Sequence, residues 1–196
     1  MVSTQSYARL HGDLAYLARR LRDETPPLAD PPNREASALG AIILAAAAVE
    51  TAINHSVERT FPPRGLAQDK LPIQHLARER VDTEKPPFKK LKLLAYAMRL
   101  TMDWESEPWR SLPELSRLRN ALVHYDASPV RTSEKGTLFE HKDLKVLARR
   151  LDLWKLHERG ATWLEGFLNR PCAEWAVSTS DAVLRSLDRS PWITTS

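Results

Sequence analysis

The segment Arg117-Leu-Arg-Asn-Ala-Leu-Val-His124 places two guanidinium groups, a carboxamide and an imidazole within eight residues of chain. An imidazole that titrates near neutral pH can accept or donate a proton. A guanidinium presents a fork of N–H donors that fits two oxygens of one phosphate and stabilises charge developing there. Phosphate binding with proton transfer beside it is therefore the chemistry these residues could perform. Leu115, Leu118, Leu122 and Tyr125 recur at helical spacing, so the segment reads as a helix with one buried face and polar groups on its flanks. At about 100° per residue, Arg117, Asn120 and His124 fall within about 60° of one another on one flank. Arg119 falls on the other flank, about 140° from His124, and two groups so separated converge poorly on one phosphate. The plainer alternative makes both arginines surface charges and His124 a helix C-terminal cap, where the dipole favours a cation.

The elements that must position this segment read as helices. Tyr7, Leu10, Leu14, Leu17 and Leu21 predict a first helix over 4–24. Residues 25–33 form a loop-rich connection with four prolines, and Asn33 is a candidate cap for the next helix. That second helix is expected over 34–60, where the run Ala45–Ala48 has strong helix propensity and lets another backbone approach closely. Residues 61–87 are loop-rich, with room for a short helix around 73–81. A helix over 88–101 directs Leu91, Leu94, Tyr96 and Met98 partly inward, leaving Lys89, Lys90, Lys92 and Arg99 as a solvated face or, alternatively, a phosphate track. The motif helix spans 112–125. Residues 128–139 read as a small hairpin or a loop, and helices follow at 142–157, 158–169 and 174–187, with Gly160 and Pro171 as breaks and 188–196 as a tail. Trp154, Trp163 and Trp175 fall on apolar stripes and read as core. The fold class is all-α, a bundle of five to seven helices in a single domain.

Composition bounds the function. A chain of 196 residues with 42% hydrophobic and 28% charged residues suits one folded domain. A net charge of +4 and a pI near 9.3 are compatible with an anionic partner such as RNA without requiring one. The single cysteine, Cys172, leaves no intrachain disulfide, and its place before an apolar helix suggests an inert buried thiol. The polar stretch 1–10 does not resemble a signal peptide, so a cytoplasmic location is expected. Residues 36–53 are apolar, but they are mostly alanine and include Glu50 and Thr51, so a buried helix is expected there and no membrane association. His11, His55, His75, His141 and His157 form no metal-binding spacing, and no phosphate loop, dinucleotide fingerprint or nucleophile elbow occurs, so no metal and no cofactor is expected.

Arg119-Asn-Ala-Leu-Val-His124 resembles the R-x4-6-H motif of the HEPN superfamily, all-α proteins that include many metal-independent ribonucleases. The Val49-Glu-Thr-Ala-Ile-Asn54 pattern looks like the second helix of many HEPN domains, and Ala173-Glu-Trp-Ala-Val177 is similar to their late helices. The resemblance implies that Arg119, followed at once by the polar Asn120, is the motif arginine, with Arg117 in reserve. It implies that Arg119 binds phosphate, His124 transfers the proton and Asn120 orients one of them, while a ribose 2′-hydroxyl attacks the adjacent phosphorus of RNA. It also implies a homodimer in which two motif helices face each other and build a composite cleft. Glu50 and Asn54, at i and i+4 on one helix face, would support the motif helix through hydrogen bonds. The HepT-like toxin subgroup carries tyrosine two residues after the histidine. Asp126 holds that place here, so control by tyrosine modification is not expected and the adjacent Tyr125 reads as core. The function implied is a metal-independent endoribonuclease, as a toxin or phage-defence effector with an antitoxin or regulatory protein as a further partner. The alternatives are a non-catalytic HEPN-like module binding RNA, a nucleotide or a protein, and a structural helical subunit.

Overall fold

A computed structural model describes residues 4–25, 31–60, 86–124, 132–133, 136–137, 144–152 and 166–189. Helices α1 (Thr4–Glu24), α2 (Pro31–Thr60), α3 (Pro87–Ala97), α4 (Leu112–Val123), α5 (Lys145–Arg150) and α6 (Arg170–Arg189) make an all-α bundle. A two-residue ladder, β1 (Thr132–Ser133) with β2 (Gly136–Thr137), pairs antiparallel with Thr132 opposite Thr137, so the small hairpin forms.

Helix α2 is the axis of the fold, packing against α1, α3, α4 and α6. Its small residues allow this, since Ala38, Ala41, Ala45 and Ala48 are each 0% exposed and take little room between neighbouring helices. Gly40 lies against α1, where an added Cβ would stand 2.6 Å from Leu21 Cδ1. Larger side chains, Ile42, Val49 and Ile53, fill the spaces on either side and are buried as well. Residues 35–60 are long and apolar enough to cross a membrane by length and composition, and half of their apolar 18-residue stretch is buried inside the bundle. Helix α6 contributes Cys172, Ala173, Ala176 and Val177 to the same core, and Arg19 of α1 pairs with Asp181 of α6 at 2.9 Å.

Helix α1 has the bounds that its leucine spacing predicts. Helix α2 begins at Pro31, with Pro31 and Pro32 in the first turn, where a missing N–H costs nothing; Asn33 therefore lies inside the helix and is not its cap. Helix α3 stops at Ala97, short of the predicted 101. Arg99 takes a positive φ of 55°, its N–H donates to Tyr96 O at 3.0 Å, and Leu100 N–H donates to Ala95 O at 2.9 Å. This left-handed termination satisfies the last carbonyls of α3. Tyr96, predicted inward, is 71% exposed because it stands about 200° around the helix from buried Leu94.

The connection from α3 to α4 is held by an aromatic cluster that the sequence reading did not single out. Phe88 and Trp104 meet edge to face at 5.5 Å, Trp104 and Trp109 at 6.1 Å, and Lys92 Nζ lies 4.5 Å from the Phe88 ring centroid. Helix α6 starts at Arg170, so Pro171 sits in its first turn instead of breaking the chain before it. Asn169 caps it, its Oδ1 accepting the Cys172 N–H at 2.9 Å while its Nδ2 donates to Gly166 O at 2.5 Å. Trp175 is partly buried beneath the Arg150 guanidinium, 5.4 Å from the ring centroid. The readings that concern 61–85, Tyr125, Asp126, Trp154, Trp163 and the tail from 190 lie outside the described residues.

Candidate functional site

The motif helix begins after Pro108 and Trp109, with Ser111 leading into Leu112 and Pro113 in the first turn. Leu112, Leu115, Leu118 and Leu122 are buried and fix the rotation of α4 against α2 and α6. That rotation leaves Ser116, Arg119 and Asn120, at helical i, i+3 and i+4 positions, beside α2 and the start of α3. They line a cleft of about 230 Å³ together with Glu50 and Ala46 of α2 and the Pro86–Pro87 corner. Of the residues expected at a site, Arg119, Asn120 and Glu50 are thus brought together.

Arg119 is the group best placed to act there. It is half-buried, and its Nη1 donates to Asn120 Oδ1 at 2.9 Å. Its Nε is fully buried and has no hydrogen-bond partner among the described residues. A buried donor on a permanently charged group is costly when unpaired. Asn120 is exposed on its outer side, and because its oxygen is engaged by Arg119, its amide N–H groups remain to donate. Ser116 adds a hydroxyl and Glu50 a carboxylate from α2, so the cleft combines anion-binding donors with one group that accepts hydrogen bonds.

The remaining expected residues stand elsewhere. Asn54 is turned to α3 instead of the motif helix, its Oδ1 accepting from Lys90 Nζ at 2.9 Å. That bond removes Lys90 from the basic face and ties α3 to α2. Arg117 is exposed and does not line the cleft. His124 is exposed at the C-cap of α4, with its backbone N–H donating to Asn120 O at 2.9 Å, and it does not line the cleft either. The wheel relationship explains this split: Asn120 stands where the two flanks meet, and the cleft takes the Arg119 side. Ser116, Pro86 and Pro87 were missed. The i, i+3, i+4 spacing of Ser116 with Arg119 and Asn120 was the available signal for the first.

Other titratable groups are structural. Burial pushes the Glu114 carboxyl above its ordinary range against the opposing pull of Arg150, whose Nη2 lies 2.5 Å from Glu114 Oε2 and 3.0 Å from Ser111 Oγ. This contact anchors the start of α4 to α5. Burial pushes the Cys172 thiol far up, consistent with the inert thiol expected. Burial also lowers the pKa of His55, which faces His11 at a ring separation of 6.2 Å, away from the cleft. Compared with models of known protein families, with curated proteins and with solved structures, the chain matches none.

Proposed function

We propose that the chain is a metal-independent endoribonuclease of the HEPN type, acting in the cytoplasm as a toxin or defence effector under a regulatory partner. The observation that supports this most is Arg119, which lines a cleft with Asn120 and Glu50 and whose buried Nε has no hydrogen-bond partner among the described residues. In this reading Arg119 and Asn120 hold the scissile phosphate of RNA. The 2′-hydroxyl attacks the adjacent phosphorus, its proton passes to a base, and the 5′-oxygen leaves with a proton, producing a cyclic phosphate and a new 5′-hydroxyl. His124 is the proton-transfer group. Since it stands outside the cleft of its own chain, a second copy facing the motif helix would bring its His124 over the phosphate.

The deciding experiment incubates labelled single-stranded RNA with the purified chain in excess chelator. Cleavage that survives chelation and disappears in Arg119→Ala and in His124→Ala supports the proposal; cleavage that both variants retain defeats it. A non-catalytic phosphate-binding module is the second reading, and the C-cap position of His124 favours it. Arg119-dependent RNA binding without any cleavage would select that reading.

A further inference from the structure

The cleft beside the motif helix has two unlike walls. On the α4 side Arg119 and Asn120 supply N–H donors, and the oxygen of Asn120 is already taken by Arg119. On the α2 side stands Glu50, half-buried, whose carboxylate makes no hydrogen bond or ion pair among the described residues. Lys90 of α3 donates to Asn54, one turn further along α2, and not to Glu50. The Pro86–Pro87 corner closes the cleft with prolyl rings that have no N–H, and the Pro86 carbonyl accepts from the N–H groups of Lys89 and Lys90 at 3.0 and 3.3 Å. This corner therefore meets a ligand with apolar surface. At about 230 Å³ the space is smaller than the roughly 300–1,000 Å³ of sites that take drug-sized ligands, and its scale is one base with the adjacent phosphate.

We infer that Glu50 reads the base beside the scissile phosphate and selects guanine, an inference that rests on the ribonuclease reading of this cleft. A carboxylate repels a phosphate held by Arg119 and Asn120, so the strand must turn a hydrogen-bond donor toward Glu50. The two oxygens of a carboxylate accept best from two parallel N–H groups. Guanine alone among the four bases carries such a pair, its N1–H beside the exocyclic N2 amine. Adenine and cytosine set a ring-nitrogen acceptor beside their amine, which opposes the second oxygen, and the one N–H of uracil lies between two carbonyls. The ribose 2′-hydroxyl has a single donor and would leave the apolar corner uncovered, whereas a base can lay its flat face against Pro86 and Pro87. Glu50 is thus a specificity residue. It accepts hydrogen bonds from the base, and no bond is made or broken at it.

The test titrates the full chain against fluorescent 2′-fluoro uridine decamers, which lack the attacking hydroxyl, with the central base varied and anisotropy as the readout. A central guanosine binds roughly tenfold tighter than uridine, the scale of hydrogen bonds to a charged group. Inosine, which lacks the N2 amine, loses most of that gain, while 7-deazaguanosine, altered only on the opposite edge, keeps it. Glu50→Gln offers one acceptor and one donor, which suit the N6 amine and N1 of adenine, so the preference moves to adenosine. Glu50→Ala abolishes the preference without favouring another base. The comparison of guanosine, inosine and 7-deazaguanosine uses the wild type alone and stands even if a variant does not fold. Absence of binding, equal affinity for all four bases, a wild-type preference for another base, or a Glu50→Gln variant that weakens every decamer alike would each overturn the inference. Cleavage of unmodified RNA that depends on Arg119 and His124 decides the ribonuclease reading separately, so an enzyme without base preference and a base reader without cleavage are told apart.

Discussion

Arg119 and Asn120, consecutive in the chain, are joined side chain to side chain by a hydrogen bond of 2.9 Å, so the motif arginine enters its cleft with one arm already held. This contact spends one donor of the guanidinium and orients the carboxamide. The pair behaves as one unit, and substitutions at either position should be non-additive.

Arg119→Ala should weaken binding of single-stranded RNA by about 10- to 100-fold, the range for losing hydrogen bonds to a charged group. Arg117→Ala and Arg99→Ala should change it far less, because both stand outside the cleft. Titrations at several salt concentrations check this, since a lost phosphate contact also flattens the salt dependence. Equal effects at all three arginines would show that diffuse charge carries the affinity.

His124→Ala should lower RNA cleavage by about 10²–10⁴ while leaving stability near wild type, because the residue is exposed and opens no cavity. Leu118→Ala should do the opposite. Leu118 is 0% exposed, and truncating such a leucine costs about 2–5 kcal/mol. Single-turnover cleavage and urea unfolding, run on both variants, make the comparison.

Asn169→Ala should destabilise the chain by about 2 kcal/mol, since a cap and a buried hydrogen bond are lost together. The same urea measurement reads it, and an unchanged midpoint would remove Asn169 from its role as the start of α6.

Stability should also fall on mild acidification. Burial first, then Arg59 and His11, hold His55 below its ordinary value of 6.5. The unfolded chain therefore takes up this proton at a higher pH than the folded one. The contribution is complete above about pH 6.5 and is lost as pH falls from there through the lower folded value. Denaturation midpoints at neutral and mildly acidic pH should show this slope, and His55→Leu should reduce it.

Periodicity made the bundle legible wherever one face of a helix is buried. Leu10 to Leu21 located α1, and Leu115, Leu118 and Leu122 oriented the motif helix. Boundaries were less legible where proline and positive φ decide them: Pro31 and Pro171 lie in first turns, and Arg99 closes α3 early. The site was legible in part. Resemblance selected Arg119, Asn120 and Glu50, and all three line the cleft. A helical wheel ranks positions around one axis but does not tell which flank a neighbouring helix will cover. His124 and Arg117 were therefore grouped with Asn120, and the Pro86–Pro87 wall, distant in the chain, carried no local signal.

Gly40 is the hole into which α1 fits a knob. The end of Leu21 occupies the space that a side chain at residue 40 would need. A methyl group there would stand 2.6 Å from Leu21 Cδ1, so the leucine would have to move or the two helices part. A change at residue 40 of α2 is therefore felt first in α1, at the end of Leu21.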